Sequence, residues 1–437
     1  MATPWHNWAG NQQMSPARVE HPRGTTELSA LVKHATACGA RVKAIGSGHS
    51  FTGIGLTDGV LLQLESHDAL LAVDTDTGQV TVESGITIAK LNTLLAERGL
   101  GLTNMGDIDV QTVAGAISTG THGTGRTSGA LSTQVVALEL VLADGSVTSC
   151  SATERPELFS VARVGLGALG IVSTVTLQAE PAFLLTADER PMPLEQVLTD
   201  FEQLVADNEH FEFYWFPHTD IALTKRNNRS PGPAAPLSRA RQWIDDELLS
   251  NKVFDLTCKF AARFPGAVPT LNRVAAKALT ARTYTAAAPT VFTSPRSVRF
   301  CEMEYAIPRA DLPAVLRELR TLPERLGLTV SFPVEVRVAP ADDIALSTAS
   351  GRDSAYVAVH MYRGTSFDRY FAAVEALMGS VGGRPHWGKL HNLEAAVLRE
   401  RYPRFEEFVA VRNELDPHGT FSNGYLDRVL GAAPGAR

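Results

Sequence analysis

The sequence predicts an α+β protein in two domains that meet near residue 178. Three observations carry this expectation. The chain has 437 residues, and at roughly 150 residues per domain it is long enough for more than one core. Short apolar runs, glycine turns and two amphipathic helices alternate through residues 1–178. Longer strands and helices take over in residues 179–437, pointing to a second α+β unit with a larger antiparallel sheet.

The elements follow in order. Thr26–Ala37 repeats apolar residues at helical spacing, and Arg41–Ile45 runs as a strand into glycines. Val60–Leu64 and Leu71–Val73 are strands, and Gln79–Glu83 alternates as a half-buried strand does. Thr87–Arg98 sets Ile88, Leu91, Leu94 and Leu95 on one helical face. Val135–Leu142, the Asp144-Gly145 turn and Ser146–Ser149 make a hairpin, with Ile171–Leu177 a further strand, so the first domain holds more than one small sheet. In the second domain, strands are expected at Phe211–Phe216, Ser297–Ala306, Thr329–Val338 and Ala355–Tyr362. Helices are expected at Leu194–Asn208, Arg309–Leu326 and Phe367–Met378. Asn227–Pro236, with three prolines, reads as a loop, and Phe421 and Tyr425 are placed to dock the C-terminal tail.

Composition narrows the function. Lys and Arg number 40 against 47 Asp and Glu, with no basic run, so nucleic acid is not an expected partner. Cys38, Cys150, Cys258 and Cys301 are too scattered for a zinc or redox pair and fit a reducing cytoplasm. Met1–Trp8 lacks the basic and apolar regions of a signal peptide, and no apolar run reaches the ~18 residues of a membrane span. The expected address is the cytoplasm.

Two glycine loops carry the first chemical signal. Gly46-Ser-Gly-His-Ser50 follows a strand, but Phe51 stands where a dinucleotide fingerprint needs its third glycine. Gly120-Thr-His-Gly-Thr-Gly125 has phosphate-loop spacing, yet Arg126 replaces the lysine and no helix pattern follows. A Rossmann nicotinamide site and an ATPase are thus both disfavoured. Together the loops offer Gly, Ser and Thr backbones along which a diphosphate can lie.

These residues resemble a known family. Ala44-Ile-Gly-Ser-Gly-His-Ser-Phe51 resembles the loop of the vanillyl-alcohol-oxidase/PCMH flavoproteins in which a histidine is joined covalently to FAD. Asn104-Met-Gly-Asp107 with Gly115–Gly125 resembles the second FAD loop, and Leu166–Ile171 the third segment. Glu335-Val-Arg337 and Arg384-Pro-His-Trp-Gly-Lys389 are similar to the aldonolactone and alditol oxidase branch. The resemblance implies a two-subdomain PCMH-type FAD-binding domain over 1–178 and a cap domain over 179–437, with the active site at their junction. It implies FAD, with His49 as the covalent ligand, a bond that raises the flavin potential. The cofactor contacts it implies are Gly46, Ser47, Gly48, Ser50, Phe51, Met105, Gly106, Thr112, Gly115, Thr119, Gly120, Thr121, His122, Ile171 and His386.

The implied chemistry is oxidation of a carbinol, with hydride passing to flavin N5 and a fixed cation offsetting charge at the N1/C2 carbonyl. Lys389 and Arg337 are the candidate cations. Glu335 and Arg337, two apart on a strand, share one face, so Glu335, Arg337 and Lys389 form the catalytic set. Asp107 and Ser354 are implied substrate contacts; alditol oxidases have Ser and Thr there, which favours a lactone over an open-chain polyol. The expected substrate is L-gulono-1,4-lactone or a related aldonolactone. The alternatives are an alditol oxidase acting on xylitol or sorbitol, and a non-catalytic protein that keeps the fold. Gly106 leaves the flavin open to oxygen, so oxygen and a quinone or cytochrome acceptor both stand as partners. No metal is expected, because His386 and His391 are not at metal spacing and no carboxylate adjoins them in sequence.

Overall fold

Most of the short runs of the first half pair into two sheets. A computed structural model describes residues 4–238, 241 and 251–435, so the first three residues of the Met1–Trp8 stretch lie outside the described residues. Arg18–Glu20, Val60–Gln63 and Val42–Ile45 form a parallel sheet with Val60–Gln63 in the centre. Parallel strands need a crossover. Helix Thr25–Ala37 supplies it, burying Leu28, Val32 and Ala35. The second sheet is antiparallel and runs Val147–Ser151, Val135–Val141, Ile171–Gln178, Gln79–Glu83, Leu70–Asp74. Helix Ile88–Ala96 starts where the Thr87 hydroxyl accepts the Lys90 N–H, and it buries Ile88, Leu91 and Leu95.

One element departs from the expected loop. Val113–Thr119 is a helix, capped by Thr112, whose hydroxyl accepts the Gly115 N–H, and ended by Gly120 at φ 76°. Its glycine, serine and threonine are weak helix formers, but Val113, Ala116 and Ile117 are buried in the core, and that packing decides.

The second half forms an eight-stranded sheet in which every pairing is antiparallel. Its order is Arg282–Ala287, Leu184–Pro193, Ile221–Arg229, His210–Trp215, Val334–Ala339, Ser354–Tyr362, Phe300–Pro308, Arg384–Pro385. Asn227–Arg229 extend a strand rather than a loop, because they pair with Leu185–Ala187. The strand expected from Thr329 begins only at Val334, and the Leu194–Asn208 helix breaks at Asp200 into Leu194–Thr199 and Phe201–Ala206.

Strand alternation gives this sheet two unlike faces. Phe211, Phe213, Met303, Tyr305, Val336, Val357 and Val359 point to one side and pack against helices Leu312–Leu326 and Asp368–Ser380. The intervening residues, Glu212, Glu302, Glu304, Glu335, Arg337, Tyr356 and His360, lie on the other side and are nonetheless buried. The first half of the chain covers them: Gly125 N–H bonds Val338 O, and Thr124 Oγ1 bonds Phe211 O at 2.5 Å.

The tail returns to the first half. Phe421 is fully buried beside Leu28, Val32 and Val42, a burial that contributes about 1.5–3 kcal/mol. Val42 N–H donates to Thr420 O, and the Asn423 amide donates to the carbonyls of Gly53, Ile54 and Leu56.

Candidate active site

Two clefts meet at the Gly46–Phe51 loop. The first is lined by Gly46, Ser47, Gly48, Thr112, Gly115, Thr119 and Ile171, with Lys43 and Ser84. The chain backbones approach closely there: a Cβ on Gly46 would stand 2.2 Å from Thr112 Oγ1, and Gly48 has φ +69° with the Trp5 ring where a Cβ would lie. Among the described residues, the buried Ser84 hydroxyl has no hydrogen-bond partner. A glycine-walled slot with an orphan hydroxyl suits a ligand that bonds to backbone and small polar groups. His49, Ser50, Gln111 and Thr119 line both clefts, so the second continues the first.

The second cleft is walled on one side by the polar face of the large sheet and on the other by Gly106, Asp107, Thr121 and His122. Arg337 is its electrostatic centre. Its guanidinium pairs with Glu335, donates to Glu212 at 2.9 Å and lies 3.5 Å from Asp107. Arg296, from the segment between helix Ala288–Phe292 and strand Phe300–Pro308, pairs with Asp107 and stands 3.8 Å from Glu335. Lys389 pairs with Glu302 and lies 5.3 Å from the Phe51 ring centre. His122 shares a 2.5 Å hydrogen bond with Glu304 and stacks on Tyr356.

These contacts sort the carboxyls. Burial disfavours the Asp107 carboxylate, yet Arg296, Arg337 and Lys389 hold its pKa well below the ordinary range. Glu302 and Glu304 are likewise buried and held low, by Lys389 and His122 respectively. Glu335 is the exception: burial, with Asp107 nearby, raises its pKa despite Arg337 and Arg296. Carboxylates outweigh burial at Lys389 too, Glu302 and Glu304 keeping its ammonium above the usual lysine value. Burial and then Lys389 push His49 down to about 4, so its imidazole is neutral at pH 7. His49 stacks on Trp8, with ring centres 5.3 Å apart.

The structure therefore brings together Glu335, Arg337, Lys389, Asp107, His49, Ser50, Phe51, Gly106, Thr119, Thr121, His122 and His386 in the second cleft. Three expected residues lie elsewhere. Ser354 is fully buried at the start of its strand, its hydroxyl donating to Arg352 O, and it lines neither cleft. It shares the face of His360 but stands six residues back along the strand, and His360 holds the pocket position. Met105 packs into the core and receives the Asn92 amide, and Gly120 serves as the helix cap. Arg296, Glu302, Glu304, His360 and Trp8 were not anticipated. For Glu302, Glu304 and His360 the sequence signal is a strand with polar alternate positions, which reads equally well as a solvent face; Arg296 and Trp8 lie outside the strands and carry no such pattern. The metal argument also changes, because folding gathers His122, Glu304 and His386 with ligand atoms within 4.8 Å. The His122–Glu304 bond and the Gly388 N–H into His386 Nδ1 account for these groups as hydrogen-bonded.

A family model described as FAD binding domain matches residues 16–151, and one described as D-arabinono-1,4-lactone oxidase matches residues 175–429. The chain belongs to the D-arabinono-1,4-lactone oxidase family. It is a flavoprotein whose cofactor is FAD, and an oxidoreductase. It is 44% identical over 431 residues to an L-gulono-1,4-lactone dehydrogenase of Mycobacterium tuberculosis, covering 99% of this chain and 100% of that one. It is 36% identical over 436 residues to the L-gulonolactone oxidase of Bos taurus, covering 98% of each. Among solved structures it is similar to cholesterol oxidase from Brevibacterium sterolicum, with TM-score 0.83 and 20% identity over 98% of this chain and 96% of that one. That likeness shows the PCMH-type fold. The family match assigns FAD to the first half of this lactone oxidase family member. Among the described residues, no helix is long and apolar enough to cross a membrane.

Proposed function

We propose that this family member oxidises a neutral sugar lactone, L-gulono-1,4-lactone or a related aldonolactone, at its C2 carbinol. The observation that carries the reading is the split among carboxyls: Glu335 alone is raised, beside three that are held low. A carboxyl set apart in this way is suited to proton transfer. Glu335 accepts the hydroxyl proton, Arg337 fixes its position, and Asp107 with Arg296 offers hydrogen bonds to the remaining hydroxyls and ring oxygen. Bound FAD would supply the two-electron acceptor that takes the carbinol's hydride, and Glu335 would hold the hydroxyl proton. The wall holds five carboxyls (Asp107, Asp109, Glu302, Glu304, Glu335) against three cations (Arg296, Arg337, Lys389), a balance that favours an uncharged lactone over a sugar acid.

The test is anaerobic mixing with L-gulono-1,4-lactone while the flavin absorbance is followed. Rapid bleaching is expected, and re-oxidation on admitting air would identify oxygen as an acceptor. No bleaching with the lactone, but bleaching with xylitol or sorbitol, would sink the lactone reading.

The proposal includes a covalent bond from His49 to FAD. A neutral imidazole keeps a lone pair for bond formation, and the Trp8 stack with the Phe51 N–H to Gly388 O bond fixes its loop at the join of the clefts. The denatured wild-type band should fluoresce on a gel and His49→Ala should not. A fluorescent variant band would remove His49 from the link. A cytoplasmic address belongs to this reading, consistent with four unpaired cysteines.

A further inference from the structure

Nine large apolar side chains are strongly exposed among the described residues, and five of them, Val253, Leu256, Phe260, Phe264 and Val274, fall in one 22-residue stretch. That stretch spans the helix Phe254–Arg263 and the greater part of the helix Val268–Ala278. Their inner faces are anchored. Cys258 and Ala261 are buried, Phe254 packs on Phe332 at 4.8 Å, and the Asn272 amide donates to the carbonyls of Pro217 and Val330. The outer face is apolar: Val253, Leu256 and Phe260 follow helical spacing, and the Phe260 and Phe264 rings lie 4.9 Å apart. Leu256 is 65% and Val274 62% exposed, so none of the described residues covers them.

Charge distinguishes this face from an ordinary uncovered patch. The helical pair, residues 254–278, carries four cations (Lys259, Arg263, Arg273, Lys277) and one acid, Asp255, a local balance of +3 in a chain of net −7. Asp255 is already paired with Lys259 at 2.6 Å. Exposed aromatics flanked by lysine and arginine match the requirements of an anionic bilayer surface: rings enter the acyl boundary while cationic heads meet lipid phosphates. A two-fold contact with a second copy would set +3 against +3 and is disfavoured by the same charges.

We propose that this helical pair docks the protein on the surface of an anionic membrane without crossing it. The docking helix also has a bearing on the cleft. Phe254 and Cys258 join a cluster with Phe332, Phe300, Phe51 and Trp8, and the last three line the second cleft. A single helix thus separates the bilayer from the apolar cluster of the pocket wall.

The test is co-sedimentation of the full FAD-loaded chain with phosphatidylcholine vesicles, with and without phosphatidylglycerol. Sedimentation with the anionic vesicles, weakened by salt, is expected. Leu256→Ser/Phe260→Ser/Phe264→Ser should lower the bound fraction at least tenfold while the flavin spectrum and Tm stay as in the wild type. Lys259→Glu/Arg263→Glu/Lys277→Glu, which leaves the apolar face intact, should abolish the preference for anionic lipid. Absence of wild-type sedimentation would overturn the proposal, as would equal sedimentation of both variants. A concentration-dependent dimer in ultracentrifugation, lost in the serine variant, would replace the bilayer by a second copy.

Discussion

Arg337→Ala is expected to be the most damaging single substitution at the site, lowering stability by roughly 3–5 kcal/mol because it strands buried carboxylates. Arg337 is 8% exposed and is held between Glu335, Glu212 and Asp107. Burial works against its charge, but those carboxylates outweigh it and raise its pKa well above the ordinary arginine value. Lys225, 2.7 Å from Glu212, and Arg296, paired with Asp107, remain in the variant, so part of the charge is still balanced. The pH dependence has a definite sign. Asp107 and Glu212 have depressed folded pKa values, so the stability they confer is present at neutral pH and lost as pH falls through the folded values. Without Arg337 much of that contribution goes, and the stability gap between variant and wild type should widen as pH rises from acid to neutral. Glu335 adds a kinetic signature: with its largest opposing charge removed its pKa climbs further, so the acid limb of the substrate-reduction profile should move to higher pH. Thermal melts across pH, with Arg337→Lys as the charge-retaining control, check both effects. A pH-independent gap would rule out this account.

Lys389→Met should leave the fold standing and lower the rate of flavin reduction by about 10²–10³-fold, the scale of losing one preorganised charge in a water-poor site. The Lys389 side chain is 23% exposed, and Glu302 keeps His360 at 3.5 Å, so the carboxylate is not stranded as completely as those around Arg337. Of the three cations in the second cleft, Lys389 has a single close carboxylate, whereas Arg337 and Arg296 each engage more than one. Its charge is therefore the least compensated. Anaerobic rapid mixing separates the effect from binding: the limiting rate should fall while the substrate concentration for half-saturation changes little. A loss confined to half-saturation would make Lys389 a substrate anchor instead.

The strand Val334–Ala339 illustrates what could be read from the chain and what could not. Glu335 and Arg337 two apart on a strand must share a face, and the structure puts both in the cleft. Ser354, named from the family resemblance and not from strand parity, lies on the side of His360 but lines neither cleft, whereas His360 reaches the second. Three strands of the large sheet, Leu184–Pro193, Ile221–Arg229 and Arg282–Ala287, were missed because their threonines, charges and proline give little alternation, and partner strands stabilise them.

By itself the sequence determined the two glycine loops, the order of the main strands, the family motifs and the parity that keeps Glu335 with Arg337. Those features depend on local backbone freedom and on the two-residue period of a strand. Only the tertiary structure decided that Glu302, Glu304 and His360 face a cleft and that Glu212 is buried against Arg337 and Lys225, rather than facing water. Alternation specifies that a strand has a polar face, but not what lies opposite it. Here the first half of the chain closes over that face, so carboxyls that water would have levelled acquire unequal proton affinities from burial and from the cation each one meets.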